Sequence, residues 1–124
     1  MDKYQEWVKD FHYKYGITVN EKPTIPDEKT RKLRMILIEE EFKEFIEATQ
    51  SGNIVQIADA IVDLMYIAYG SAVSYGIDVE PIFHEVHRSN MTKEGNMRED
   101  GKVLKGNGWK PPNVESLLRQ QMSE

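Results

Sequence analysis

Residues Leu37 to Asp63 read LIEEEFKEFIEATQSGNIVQIADAIVD, and the way this stretch divides decides the fold. Apolar residues recur at helical spacing on both sides of Ser51-Gly52-Asn53, which predicts one helix stopping at Gly52 and a second starting near Asn53. At about 100° per residue with Glu41 at zero, Ala48 lies near −20°, Leu37 near −40°, Phe45 near +40°, Ile38 near +60°, Leu33 near −80° and Phe42 near +100°. Glu41 therefore occupies the middle of an apolar arc. Glu44, at roughly −60°, lies inside it as well, Glu40 is at its edge, and Glu39, Lys43 and Glu47 point away.

The second helix repeats the anomaly. Between Ile54 and Tyr75 the only charged residues are Asp59 and Asp63, four apart and so separated by about 40° on one face. The remaining side chains are apolar nearly all round, which predicts a helix in the middle of a bundle. Buried carboxylates must be paired or bind metal. Neither inward face carries enough Lys, Arg or His to neutralise four or five acids, although Arg34, near +20°, has the reach for one of them. Oxygen-only clusters suit hard cations, Mg²⁺ or Mn²⁺ above all. The alternative is that the acids face a solvated groove or a subunit boundary without chemistry, Glu being a good helix former.

Composition narrows the class. A chain of 124 residues and 14.4 kDa is one domain, with a helical core over about 2–92 and a tail over 93–124. Its core is modest, and assembly would relieve it. A net charge of −5 argues against nucleic-acid binding through a basic surface. The absence of cysteine excludes thiol catalysis, zinc ribbons and disulfides, and is compatible with a cytoplasmic protein. The polar N-terminus and the two aspartates in the long apolar helix predict neither a signal peptide nor a membrane span.

Other elements follow from local signals. Tyr4, Trp7, Val8, Phe11 and His12 form an amphipathic helix over 2–14 that stops before Gly16, with His12 at its surface or boundary. Thr24 is the expected N-cap of the second helix, with Pro26 in its first turn. A fourth helix, capped by Asp78, runs from Val79 to about Thr92; its His84 and His87 read as surface histidines. No Glu-x-x-His pair is present, which argues against a di-iron oxidase of bundle type. After Lys93, GNMREDGKVLKGNGWKPP has no helical period. Its glycines and basic residues suit a flap closing on phosphates, or equally a hairpin packed on the bundle or a subunit arm. Asn113 caps a last short helix.

Glu40-Glu41-Phe42-Lys43-Glu44, then Asp63 after a short gap, resembles the EExxE…ExxD signature of the all-α nucleoside triphosphate pyrophosphohydrolases, the group of MazG, dimeric dUTPases and phosphoribosyl-ATP pyrophosphohydrolase. IADAIVDLMYIAYGSAVSYGID, PIFHEVHRSNMTK and REDGKVLKG…PP extend the resemblance over about 30–115, toward the MazG-like proteins of phosphoribosyl-ATP pyrophosphohydrolase type. The resemblance implies a four-helix-bundle core completed by a homodimer or homotetramer, with an irregular Gly/Lys-rich C-terminal flap and a short terminal helix. It implies Mg²⁺ held by Glu41, Glu44 and Asp63, with Asp59 or Glu40 completing the set, and a water that Glu40 positions or deprotonates. Asn90 and Lys93 match the family's Asn-x-x-Lys, and with Arg98, Lys102 and Lys105 would grip the triphosphate of a nucleotide substrate. Tyr66, Tyr69 and Trp109 are the aromatic residues available for the base. The family's first ExxD acid falls at Ala60, which binds no metal, and Asp59 is its candidate substitute. House-cleaning of dUTP or a non-standard nucleotide is the expectation, with phosphoribosyl-ATP hydrolysis the alternative; Ala60 is also what a catalytically inactive nucleotide-binding or oligomerisation module would show.

Overall fold

The computed structural model describes residues 1–124 and is all-α, with five helices and one isolated bridge between Met97 and Val103. It divides into two compact units, Met1–Asp78 and Val79–Glu124. The first holds α1 (Lys3–Tyr15), α2 (Glu28–Ser51) and α3 (Ile54–Tyr75), and the second holds α4 (Val79–Asn90) and α5 (Val114–Ser123). Asn53, near which α3 was expected to start, caps it through Val55 and Gln56 N–H, and Asn113 caps α5 through Ser116 N–H, as expected.

The start of α2 differs from expectation. Asp27, rather than Thr24, is the N-cap, its carboxylate accepting the Thr30 N–H at 2.8 Å. Thr24 is held outside the helix, donating its hydroxyl to the Lys22 carbonyl. A carboxylate at the helix N-terminus also answers the helix dipole, an advantage a threonine hydroxyl lacks.

In the first unit α3 packs against both α1 and α2. The inner strip of α2 runs Thr30, Arg34, Leu37, Glu41, Phe45, Ala48, in steps of three and four. Only Thr30, Arg34 and Ala48 of it are fully buried. Leu33, Ile36, Ile38, Phe42 and Ile46 on α2, and Ile61, Val62 and Met65 on α3, are exposed. The apolar arc around Glu41 is thus covered only along its middle, and α3 is not enclosed on all sides. One neighbouring helix touches a narrow strip, so the flanks of a wide arc stay outside. By length and composition alone α3 would also cross a membrane; here it carries Asp59 and Asp63.

The segment between α1 and α2 closes the C-terminal end of α3. Asn20 N–H donates to the Val73 carbonyl (3.2 Å), Asn20 Nδ2 to that of Ser74 (2.8 Å) and Thr24 N–H to that of Tyr75 (2.9 Å). These are the carbonyls a helix end leaves without partners. Ser74 Oγ returns a bond to the Thr18 carbonyl at 2.9 Å. Gly76, at φ 70°, turns the chain directly beneath the Lys22 carbonyl.

In the second unit α4 ends at Asn90, two residues earlier than expected, where the Thr92 hydroxyl takes the Ser89 carbonyl. Glu85 joins α4 to α5, accepting from Arg88 at 2.7 Å and from Asn113 N–H at 2.6 Å. The irregular segment forms a short hairpin, Arg98 N–H to Lys102 O and Leu104 N–H to Asn96 O, each 2.7 Å. Beyond it, Gly108 N–H donates to Glu94 at 2.6 Å and Lys110 N–H to Thr92 at 2.8 Å.

Candidate metal centre

Glu41 and Glu44 lie three apart on α2, and Asp63 reaches them from α3. One carboxylate oxygen from each falls within 4.8 Å of the others. The half-buried Glu41 offers an oxygen, Oε2, that is out of contact with water and has no hydrogen-bond partner. An orphaned carboxylate oxygen beside two further carboxylates fits a hard divalent cation, and no cationic side chain is placed to serve instead. Arg34, expected to reach one of the acids, turns away: 4% exposed, it donates to the Ile67 carbonyl at 2.9 Å and to Ser71 Oγ at 3.2 Å. Gly70 makes room for it, since a Cβ there would strike the guanidinium.

The electrostatics agree. Loss of solvent, a hydrogen bond with Glu44 and the charges of Glu44, Asp63 and Glu40 push the Glu41 carboxyl up to about 7. Burial and then the charges of Asp59 and Glu44 raise Asp63 as well. Without a cation, crowding of like charges favours the protonated form of Glu41. Glu41 binds that proton more tightly folded than unfolded, so its contribution to stability falls as pH rises from its ordinary 4.5 through about 7. His12, whose pKa burial lowers, acts in the opposite sense below its ordinary 6.5. It is the same in both proteins when wild type is compared with Glu41→Gln. Urea titrations in EDTA should therefore find the Gln variant more stable by about 2 kcal/mol at pH 8, after allowance for solvent screening, with the gap closing toward pH 5.

Asp59 stands outside the triad. It is exposed and lines a cleft of about 210 Å³ with Glu44, Glu47, Ala48, Gln56, Ala60 and Asp63. Ala60 itself is buried in that wall. Glu40 is exposed next to Glu41. The residues expected to hold phosphate all lie in the second unit: Asn90 ends α4, Lys93 N–H closes a turn onto its carbonyl, Arg98 makes a two-bond pair with Asp100 (2.8 and 2.6 Å), Lys102 N–H meets the same carboxylate, and the Lys105 ammonium sits 4.3 Å from the Trp109 ring centre.

Two features escaped the sequence reading. His12 is not at the surface: at 2% exposed it shares a hydrogen bond with the Thr18 carbonyl and lies beside Gly70 and Arg34. Phe11 and Tyr15 join Tyr66 in an aromatic group at the C-terminal end of α1. Their spacing of four on one helix was the available signal.

A family model described as phosphoribosyl-ATP pyrophosphohydrolase matches residues 8–90. An uncharacterized protein of Acanthamoeba polyphaga mimivirus is 39% identical over 51 residues, a match that spans 41% of this chain and 20% of the viral protein.

Proposed function

We propose, because the chain belongs to the phosphoribosyl-ATP pyrophosphohydrolase family within the MazG-like all-α superfamily, that it is a Mg²⁺-dependent nucleoside triphosphate pyrophosphohydrolase. Membership implies hydrolysis of a pyrophosphate linkage in a nucleotide. The finer reading is cleavage between the α and β phosphates, giving nucleoside monophosphate and pyrophosphate, with dUTP or a non-standard nucleotide as substrate. The observation that carries the metal is the orphaned Glu41 oxygen among three carboxylates.

Glu41, Glu44 and Asp63 would hold the ion, with Asp59 at the cleft rim completing the set in place of the acid missing at Ala60. Bound there, Mg²⁺ or Mn²⁺ supplies charge neutralisation on the phosphates and a more acidic water. Glu40 accepts a proton from the attacking water as the new P–O bond forms and the bridging P–O bond breaks. Asn90, Lys93, Arg98, Lys102 and Lys105 bind phosphate oxygens, the flap role of the basic hairpin. Lys93→Ala should raise KM about tenfold with little change in kcat, the signature of lost uniform binding.

The exposed flanks of α2 and α3 support a homodimer or homotetramer in which a second copy completes a four-helix bundle. In this reading the protein works in the cytoplasm, with neither nucleic acid nor membrane as partner. Phosphoribosyl-ATP is the second substrate reading, favoured by the description of the matching family. An inactive nucleotide-binding module would be favoured only by Ala60. The test is pyrophosphate release from a panel of ribo- and deoxyribonucleoside triphosphates and phosphoribosyl-ATP, with Mg²⁺, Mn²⁺ or EDTA. Metal-dependent release is expected from one or a few substrates, and silence across the whole panel would sink the enzyme reading.

A further inference from the structure

Arg34 is a buried cation bonded only to neutral groups. From the inner strip of α2 it gives its guanidinium to α3: Nη2 donates to the Ile67 carbonyl at 2.9 Å and Nε to Ser71 Oγ at 3.2 Å. Ser71 Oγ donates in turn to the same carbonyl at 3.2 Å. A Cβ on Gly70 would strike the guanidinium and stand 3.1 Å from His12 Nε2, so the group lies against the backbone of α3 with α1 beside it. Removing a guanidinium from water is costly, and no paired acid offsets the cost here.

Its place along the helices ties it to the acid triad. α2 and α3 run antiparallel from the turn at Gly52 and Asn53. Seven residues on from Arg34 is Glu41, and seven back from Gly70 is Asp63. Seven residues make two turns to within about 20° and a rise of about 10.5 Å on either helix, so the guanidinium and the triad share one face and one register. Little else in this seam is directional. The fully buried residues beside Arg34 are small: Thr30 and Ala48 on α2, Ala60 and Gly70 on α3. Small side chains interlock weakly, and three carboxylates without a cation repel one another. A planar guanidinium bonded at two points resists both sliding and separation.

We propose that Arg34 is a positioning residue for the metal centre, bonding α3 at Ile67 and Ser71 and so holding Asp63 against Glu41 and Glu44. This rests on the metal-centre reading above and adds a group that touches neither the ion nor the substrate. Charge and geometry predict opposite signs for its loss. A bystander cation two turns away can only repel Mn²⁺, so removing it would tighten binding; removing a positioning group weakens it.

The test is Mn²⁺ binding to the full-length protein, read from the electron paramagnetic resonance of the free ion, with circular dichroism melting of the same samples. Arg34→Met should bind Mn²⁺ at least about tenfold more weakly than wild type while still folded, the loss typical of removing a group that orients a metal ligand. Gly70→Ala keeps the charge, gains helix propensity and pushes the guanidinium off its acceptors, and it should show the same loss. In the Arg34→Met background Gly70→Ala should add little, since both act through one contact. Wild-type or tighter Mn²⁺ affinity in either folded single variant would overturn the positioning role and leave the metal centre standing. Loss of the fold in both single variants would assign the guanidinium to stability alone and overturn the role as well. Wild type taking up no Mn²⁺ would overturn the metal centre and this role with it.

Discussion

Glu41→Gln is expected to lower kcat/KM for metal-dependent pyrophosphate release by about 10³-fold, and Asp63→Asn by a similar factor, several kcal/mol of transition-state stabilisation in each case. Both substitutions keep the shape of the side chain and remove its charge. In the structure they act on the same small volume, since one carboxylate oxygen from each of Glu41, Glu44 and Asp63 lies within 4.8 Å of the others. The readout that separates a chemical role from a structural one is stability: Glu41→Gln should gain stability at pH 8 without metal, because it removes a carboxylate whose ionisation the folded chain resists. Added Mg²⁺ should stabilise wild type and not the variant, by the linkage between binding and folding. A variant that lost activity and also unfolded would count against the centre, and one with full activity would remove Glu41 from it.

Gly76→Ala should cost about 3 kcal/mol and lower the melting temperature by more than about 10 °C. Two penalties coincide there. The residue has φ 70°, where alanine is strained by about 1 kcal/mol. A Cβ would also strike the Lys22 carbonyl oxygen and come within 2.7 Å of its carbon and 2.9 Å of the Asn20 oxygen. Those are backbone atoms of a loop that the Asn20 and Thr24 N–H groups tie to α3, so relief requires moving the loop. Gly52 is the internal control: it has φ 69° with no atom within 4 Å of the added Cβ. Gly52→Ala should cost only the conformational term, about 1 kcal/mol, and differential scanning calorimetry of the two variants measures the difference.

Helix ends were legible because their signals are local. Gly16, Gly52 and Gly76 each close a helix in the left-handed conformation, and Asn53 and Asn113 open theirs. Glu41, Glu44 and Asp63 were legible because an acid inside an apolar arc breaks a pattern. How much of that arc is covered was not legible: a helical wheel orders residues by angle but does not count neighbours, so Leu33, Ile38 and Phe42 were expected inside and are exposed. His12 and Arg34 escaped for another reason. Their partners include the backbone carbonyls of Thr18 and Ile67, and a carbonyl has no residue identity to read. Asp27 displaced Thr24 as a cap because two capping residues three apart compete, and only the geometry of the preceding loop decides.

The bonds from Asn20 and Thr24 to the end of α3 also set an order of events. The α2–α3 pair is joined across Gly52 and Asn53 and can form early, with little chain to close. The 17–27 segment meets residues more than fifty positions away, so its closure pays a larger loop entropy and belongs late in folding. Damage at Gly76 should thus speed unfolding while leaving the folding rate nearly untouched, visible in stopped-flow kinetics as movement of the unfolding arm alone.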